Sequence, residues 1–343
     1  MNQISQTSRQ RKLKFSKPRT LIFLGVITFF VILALWFSFF SESRFFIKNE
    51  DPGPREQTGA LLGQPCPFVE NRPVAVMLAS DPVARPLAGV GQADIVLEMP
   101  VTPDGVTRMM ALFQCQQPER VGSIRSARAG FLPFVASFDA IFGHWGGERE
   151  ALADLNAGVV DNLDALPNRF NTFYRQNGIR SPHDGFSSYE RLVAGAIKSG
   201  YRIENRFEGF ARSEEPPART LANLAESVMV PYAGSYEVRW HYSAEKKTYQ
   251  RSRGGQLEIE ANTGMPVQVK NIIVLETTGV PFEGQYLDLA VVSQGRGQFY
   301  RDGVSQGVIW SKADFGAPLL LENLEGQEIK LAPGASWIHF IIS

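Results

Sequence analysis

The stretch DIVLEMPVTPDGVTRMMALFQC, residues 94–115, does most to decide the fold of this chain. Its first part, 94–99, is a short apolar run of the length of a strand. Pro103-Asp104-Gly105 is a turn signal, and a second apolar run follows it at 107–115. The stretch therefore predicts two buried strands joined as a β-hairpin.

Outward from this hairpin, strand-like and helix-like segments mix. Apolar runs at 73–79 and 140–144 predict buried strands. The predicted helices are 131–137, 149–156 and 187–199. The predicted strands of the second half are 236–242, 268–276, 287–293, 297–301, 307–312, 327–331 and 337–342. We expect an α+β fold, with a mixed α/β domain at 71–212, a linker at 213–224 and a mainly β domain at 225–343.

The N-terminal region has the pattern of a membrane anchor. Residues 20–40, TLIFLGVITFFVILALWFSFF, carry no charge and are long enough to cross a bilayer as one helix. We expect a basic cytoplasmic tail at 1–19, a transmembrane helix at 20–41 in contact with the lipid bilayer, and a linker at 42–70. The body is then extracytoplasmic on a single-pass anchor. The alternative is a cleaved signal peptide, and no cysteine follows the apolar run to accept a lipid.

Charge and composition exclude several classes of protein. The 343-residue chain has 35 basic and 35 acidic side chains, but six basic ones and no acidic one lie in 1–19. The remainder, with 29 basic and 35 acidic residues, has a net charge near −6, which argues against nucleic-acid binding. Two cysteines and four scattered histidines predict no metal site, and no motif indicates a cofactor.

The two cysteines lie beyond the apolar segment, where a disulfide can persist. Cys66 is in a proline-flanked loop, and Cys115 ends the second strand of the predicted hairpin. A Cys66–Cys115 disulfide would attach the leading loop to the sheet. The alternative is a pair of buried free thiols.

Arginine is used without lysine across much of the first half. Residues 49–197 contain twelve arginines and no lysine, although the chain has ten lysines. Arginine is preferred where a planar fork grips a carboxylate or phosphate through two hydrogen bonds. Arg108, Arg125 and Arg128, with Ser126, are therefore candidate ligand-binding residues. The alternative is that the arginines hold loops together by pairing with acidic partners such as Asp94, Glu98 or Asp139.

A second group of candidates follows the strand predicted at 140–144. His144 ends this strand and is followed by Gly146 and Gly147, which would let a ligand approach the backbone. His183 lies on a turn that could face the same cleft. Histidine suits acid–base chemistry near neutral pH, but a hydrogen-bonded structural role is the alternative for each.

Several short stretches resemble the YerB-like family of bacterial envelope proteins, known as domain of unknown function 3048 (DUF3048). In the first half they are 71–77, 93–96, 105–113, 123–128, 138–147, 161–163 and 181–183, and in the second half 249–251, 270–274, 295–303, 310–312 and 333–338. The resemblance covers about residues 60–343. It implies a two-domain extracytoplasmic protein without an established activity, and it differs in anchoring, because many members look like lipoproteins.

These observations leave two classes of function. The first is a non-catalytic binding or assembly protein of the cell envelope, whose arginine-rich cleft holds an anionic ligand such as a cell-wall or phosphorylated envelope component. The second is an enzyme: the order of Asp94, Arg125 and the Gly-Gly loop is loosely similar to LytR-type glycopolymer phosphotransferases, and Asp94 or Glu98 could serve a cell-wall glycan-acting enzyme. A group of acids beside the arginines would favour the transferase.

Overall fold

The predicted hairpin lies at the middle of a large sheet in the computed structural model, which describes residues 58–343. Strands β1 (Val74–Ala79), β2 (Ile95–Pro100) and β3 (Thr107–Phe113) are neighbours. β3 pairs antiparallel with β2 on one side and with β1 on the other. All three are buried along their whole length because both faces of the sheet are covered.

Seventeen further strands complete the described part of the chain. They are β4 (Val121–Gly122), β5 (Ile141–His144), β6 (Asn162–Asp164), β7 (Tyr174–Arg175), β8 (Gly185–Ser187), β9 (Ser227–Val230), β10 (Val238–Ser243), β11 (Thr248–Arg253), β12 (Gln256–Leu257), β13 (Gln268–Val269), β14 (Asn271–Thr277), β15 (Gly279–Phe282), β16 (Tyr286–Leu289), β17 (Gln294–Arg301), β18 (Val304–Ser311), β19 (Leu320–Glu322) and β20 (Ser336–Ile342).

Three α-helices lie in residues 58–343: α1 (Leu132–Ser137), α2 (Arg149–Ala157) and α3 (Tyr189–Lys198). Each coincides with a predicted helix within two residues at either end. α3 begins where the Ser188 hydroxyl accepts a hydrogen bond from the backbone N–H of Arg191, which caps the first turn. The described chain is thus a mixed fold with few helices and mostly sheet.

The central sheet has the order β19-β18-β17-β14-β20-β2-β3-β1-β5-β6. The last strand of the chain, β20, lies between β14 and β2 and pairs parallel with both. Strands from both predicted domains therefore form one sheet. A second sheet contains β9 to β13, a third contains β4, β7 and β8, and β15 pairs with β16.

Alternation along the strands places a separate apolar core on each face of the central sheet. Ala75, Met77, Leu97 and Met110 point to one core, together with α1 and with Trp310. Their neighbours along the strands point to the other core, which is closed by the second sheet and by α3; examples are Val76, Val96, Trp240, Tyr249 and Leu192.

Two expectations about elements need comment. The segment 327–331, predicted as a strand, forms only isolated bridges at Glu328 and Leu331, because its partners are short or irregular. The tail at 1–19, the transmembrane helix at 20–41 and most of the linker at 42–70 lie outside the described residues. Within residues 58–343, every helix is too short or too polar to cross a membrane.

Candidate functional site

Four arginines gather where β1 ends. Arg108, the second residue of β3, is paired with Ala79 of β1, and the backbone N–H of Arg125 donates to Met77 O on the other side of β1. Arg128 follows three residues later, and Arg85 donates from Nη2 to Ser80 O at 3.0 Å. We call Arg85, Arg108, Arg125 and Arg128 the arginine cluster. Asp81 and His183 lie beside it.

The carboxylates near the arginine cluster are fewer than its arginines. Arg108 Nη1 lies 3.3 Å from Asp81 Oδ2, and Arg128 Nε lies 3.5 Å from Glu148 Oε2. The side chain of Arg125 donates only to the backbone oxygen of Pro182 within the described residues, at 3.1 Å, and it has no carboxylate within 4.0 Å among residues 58–343. The cluster therefore has more positive than negative charge.

Burial makes this charge costly. Arg108 is only 5% exposed, and burial lowers its pKa to about 10; Asp81 opposes this shift, while Arg125 and Arg128 add to it. Burial also lowers the pKa of Arg85 to about 10. An anion placed among these side chains would relieve both the lost hydration and the mutual repulsion.

Several buried donors of the arginine cluster are unused. Within the described residues, the Nε atoms of Arg85, Arg108 and Arg125 and the Nδ1 atom of His183 have no hydrogen-bond partner. Buried polar groups are nearly always satisfied in folded proteins, so the hydrogen bonds of these nitrogens to the described residues do not use their full capacity. Burial and the neighbouring Arg125 lower the pKa of His183.

A small cavity of about 100 Å³ opens beside Arg125. The predicted residues Arg125 and Ser126 both line it, together with Trp145 and Arg175. Arg175 lies over the Trp145 ring, 4.8 Å from its centroid, and is paired with Asp184 at 2.6 Å. Arg175 therefore brings no net charge, and Arg125 is the lining cation without an acidic partner in the described part of the chain.

His144 faces a different cavity from the arginine cluster. Its ring lines a cavity of about 500 Å³ at the ends of β5 and β6, together with Asp164 and Tyr201. Nδ1 of His144 lies 2.8 Å from Gly146 O, and Nε2 lies 3.1 Å from Asn162 Oδ1. Because both ring nitrogens are held by protein oxygens, the bonding of His144 is that of a structural residue.

The two glycines after His144 shape the loop. Gly146 has φ +63°, a backbone conformation that favours glycine, and its N–H donates to Asp164 Oδ1. A Cβ on Gly147 would lie 3.1 Å from Leu152 and 3.2 Å from Ala127. The loop runs beside residues 125–127, since Trp145 N–H donates to Arg125 O and Ala127 N–H to Gly146 O.

Asp94 and Glu98, considered as acidic partners of the predicted arginines, have other partners. Asp94 is fully buried, and its Oδ2 accepts from the backbone N–H groups of Gln114 and Cys115, at 2.6 and 2.8 Å. Burial raises its pKa to about 6 in spite of these bonds. Asp139, the third carboxylate considered, pairs with Arg72 and Arg202.

Glu98 is at the centre of a buried ionic network between the central and second sheets. Oε2 of Glu98 accepts from Arg251 Nη2 at 2.5 Å and from Trp337 Nε1 at 3.1 Å, and Oε1 accepts from Arg253 Nη2 at 2.9 Å. Burial alone would raise the pKa of Glu98, but the two guanidinium groups outweigh it and lower the pKa to about 2. Glu258 pairs with Arg251 on the opposite side.

Sequence reasoning did not find this network. Arg251 and Arg253 alternate with Tyr249 on β11, and all three side chains are buried. Alternation of arginine with an aromatic residue on one strand was the available signal, because a strand directs every second side chain to the same face. The sequence pattern could not predict the acidic partner, because Glu98 lies about 150 residues earlier in the chain.

The predicted Cys66–Cys115 disulfide is present, with the two Cα atoms 5.6 Å apart. It attaches the leading loop to the residue that follows β3 by two positions. Gly59 packs directly on it, since a Cβ at this position would lie 2.1 Å from Cys115 Sγ.

Comparison with known proteins places the chain in a family. Residues 59–202 match the N-terminal domain, and residues 228–338 the C-terminal domain, of a protein of unknown function (DUF3048). The chain belongs to this YerB-like family. It is 30% identical over 279 residues to "Putative lipoprotein YerB" of Bacillus subtilis (strain 168), covering 79% of this chain and 82% of the relative.

The crystal structure of YerB protein from Bacillus subtilis has the same fold. It matches with a TM-score of 0.75 and 28% sequence identity, over 83% of this chain and 96% of that chain. The likeness therefore includes both halves of the described chain.

Proposed function

We propose that this protein is anchored in the cell membrane, lies outside the cytoplasm, and binds an anionic ligand of the cell envelope through the arginine cluster. The observation that carries the binding proposal is that Arg125 lies at a cavity without an acidic partner. This cation lines a cavity with Ser126, has no carboxylate within 4.0 Å among residues 58–343, and keeps its Nε atom without a partner. A guanidinium so arranged is suited to an oxyanion.

Three observations support the location. The uncharged segment 20–40 follows a basic tail, as in a single-pass anchor with a cytoplasmic N-terminus. The Cys66–Cys115 disulfide suits an oxidising compartment. The YerB relative is named as a lipoprotein, but both cysteines of this sequence are in the disulfide, so we propose the apolar segment as the anchor.

The enzymatic alternatives gain no support from the site. Asp94 and Glu98 are both 0% exposed, so neither carboxylate could reach a polysaccharide. The LytR-like alternative would be favoured by acids grouped beside the arginines. Within residues 58–343, His, Cys, Asp and Glu form no group of three that could hold a metal ion.

Ligand binding is tested by thermal unfolding of the full chain in neutral detergent, with pyrophosphate or soluble muropeptides added. We expect at least one anion to raise the wild-type midpoint, because a ligand that binds only the folded state stabilises it. Arg125→Ala and Arg128→Ala should fold but lose this response. Arg239→Ala is the matched control, since Arg239 is half exposed and paired with Glu237.

A different result would indicate that the arginines only hold loops together through their ion pairs. In that case both variants would be strongly destabilised, by roughly 3–5 kcal/mol for a broken buried pair, and no anion would raise the wild-type midpoint.

The location is tested by adding protease to intact spheroplasts. Residues 50–343 should be digested while a cytoplasmic marker protein survives. Protection of this region until the membrane is lysed would contradict the proposed topology.

A further inference from the structure

We propose that the cavity beside His144 is a second binding site and that its ligand is a neutral sugar. The cavity has a volume of about 500 Å³, and small-molecule sites usually have volumes of roughly 300–1,000 Å³. Its lining, as far as residues 58–343 provide it, includes none of the arginine cluster. The sugar site is therefore independent of the proposed anion site.

The cavity lies where parallel strands end. β5 pairs parallel with β1 and with β6, and the last residues of β5 and β6, His144 and Asp164, both line the cavity. The crevice outside the carboxyl ends of parallel strands is a usual place for a ligand. Because β6 is the last strand at this edge of the central sheet in the described chain, the sheet ends at the cavity.

The lining suits hydroxyl groups better than an ion. Ten of the sixteen lining residues are polar, and six of these carry an amide or a hydroxyl group: Asn156, Asn162, Asn168, Thr172, Ser199 and Tyr201. Amides and hydroxyls both donate and accept hydrogen bonds, as the hydroxyl groups of a sugar do. The charged lining residues, Asp164, Arg169 and Lys198, have both signs, and the two cations are exposed to water and screened. A neutral polyhydroxy compound is therefore favoured over an anion.

Hydrogen bonds within the protein fix the polar wall of the cavity. Asn162 Nδ2 donates to Leu155 O at 3.1 Å, and the Tyr201 hydroxyl donates to Asn162 O at 2.9 Å. Asn168 Nδ2 donates to Phe173 O, and Asn168 Oδ1 accepts from the backbone N–H of Phe173, both at 3.0 Å. A wall that is already ordered loses little conformational entropy when a ligand binds.

Asp164 has one carboxylate oxygen to offer to a ligand. Its Oδ1 accepts from the backbone N–H groups of Gly146 and Leu166, both at 2.9 Å, whereas its Oδ2 has no donor among residues 58–343. The side chain is 20% exposed. A sugar hydroxyl that donates to Oδ2 would form a charge-assisted hydrogen bond, which is stronger than one between neutral groups.

The same cavity has apolar surface. Phe170 is 38% exposed and lines the cavity together with Leu152, Leu155 and Phe173. A sugar ring carries an apolar C–H face in addition to its hydroxyl groups. Aromatic and apolar lining with a few fixed polar groups is the usual composition of a small-molecule site.

The test is a saturation-transfer NMR titration of the full chain in a polyoxyethylene detergent, which contains no sugar. The probes are glucose, N-acetylglucosamine and N,N′,N″-triacetylchitotriose. We expect at least one of them to bind, and pyrophosphate not to displace it. Asp164→Asn should lower the affinity about tenfold, because Oδ1 keeps its two backbone hydrogen bonds while the charge-assisted bond at Oδ2 is lost.

Asp314→Asn is the matched control. Asp314 Oδ1 likewise accepts from two backbone N–H groups, those of Gly316 and Ala317, and Asp314 does not line the cavity. This variant should bind the sugar as the wild type does. If Asp164→Asn does not fold, Asn156→Ala replaces it, because Asn156 is exposed near the end of α2 and lines the cavity. Loss of its amide should weaken binding several-fold.

Failure of all three sugars to bind, or equal affinity in the wild type and in the cavity variant, would overturn the sugar site and leave the proposed anion site in place. Displacement of the sugar by pyrophosphate would overturn a separate site. Tighter binding of the trisaccharide than of N-acetylglucosamine would support the sugar site with one unit of a glycan as its ligand. Equal affinity for these two would support it with a free sugar as its ligand.

Discussion

Glu98 of the central sheet is bound to Arg251 and Arg253 of the second sheet through buried charges. It is 0% exposed, and two guanidinium groups, one indole and the hydroxyl of Thr107 donate to its two oxygens. A buried ion pair contributes little net stability compared with apolar packing, but losing one partner leaves an uncompensated charge in the interior. Loss of one member of the network would therefore weaken the contact between the two sheets.

Removing the charge of Glu98 should be strongly destabilising. In Glu98→Gln, Arg251 and Arg253 keep only Glu258 as an anionic partner, and we expect a loss of about 3–5 kcal/mol in the free energy of unfolding. Urea denaturation measures this loss. Glu237→Gln, which removes the carboxylate of an exposed pair with Arg239, should change stability by less than about 0.5 kcal/mol. Similar losses in both variants would contradict this role of Glu98.

His339 should make the fold sensitive to mild acid. Trp240 Nε1 donates to its Nε2 at 3.1 Å, so the neutral ring carries its proton on Nδ1. Burial lowers the pKa of His339 from 6.5 to about 3. Between pH 6.5 and 3 this histidine is therefore protonated in the unfolded chain but not in the folded chain. The free energy of unfolding accordingly falls as the pH falls from 6.5 towards 3.

The measurement compares the stability of the wild type and of His339→Gln at pH 6.5 and pH 5. His339 should contribute a loss of up to about 2 kcal/mol over this interval, which His339→Gln should lack. Asp94 has the opposite effect on stability in the same interval: its pKa is raised to about 6, so its protonation stabilises the folded chain as the pH falls. The informative quantity is therefore the difference in stability loss between the wild type and His339→Gln. His241→Gln, at an exposed position of β10, should keep the wild-type loss.

At the scale of elements, the disulfide fixes the leading loop against the end of β3. The loop has little regular structure of its own, and its contacts include the packing of Gly59 on the disulfide and the hydrogen bond from Gly63 N to Gly59 O. Cys115 is also held by its backbone N–H bond to Asp94. Cross-linking residues 49 positions apart restricts the unfolded chain more than the folded one.

We expect the Cys66→Ser, Cys115→Ser double variant to lose about 2–4 kcal/mol of stability while keeping the fold. Alkylation of the wild-type protein without reductant, followed by mass spectrometry, should label neither cysteine. After reduction in denaturant both should react, which is the control for access of the reagent. Labelling of both thiols in the untreated protein would rule out the disulfide in solution.

At the scale of the whole molecule, the two halves of the chain are combined in one sheet. β20, from the end of the chain, is inserted between β14 and β2, and its Trp337 donates to Glu98 of the first half. The core on one face likewise contains Leu97 and Met110 from the first half with Ile273 and Ile338 from the second. Each half alone would expose apolar surface and the unpaired edge of a strand.

We therefore predict that residues 58–224 do not fold cooperatively when produced alone. The fragment should lack a sharp thermal transition in circular dichroism, whereas co-expression with residues 225–343 should restore one. The described range 58–343 serves as the control. A cooperative transition of the isolated 58–224 fragment would show that the shared sheet is not required for its fold.

Features set by interactions between residues near in sequence could be predicted, whereas contacts between distant residues could not. The hairpin at 94–115, the strands around it, three helices and the disulfide could be predicted, because apolar runs and turn signals are local properties. Arg125 and Ser126 were also predicted together and line one cavity. His144 was expected in the same cleft, but it lines a different cavity from Arg125 and Ser126, and Trp145, the first residue after β5, lines the cavity of Arg125.

The sequence by itself indicated a mixture of helices and strands, the Cys66–Cys115 pair as one of two alternatives, and the resemblance to the YerB-like family, since these rest on segments of a few residues. Only the tertiary structure decided the order of the central sheet, the position of β20 and the partners of the charged residues. Arg108 pairs with Asp81, Arg128 with Glu148, and Glu98 with arginines about 150 residues away. The physical reason is that a buried charge takes its partner from whichever element packs against it, and this packing is set by the whole chain.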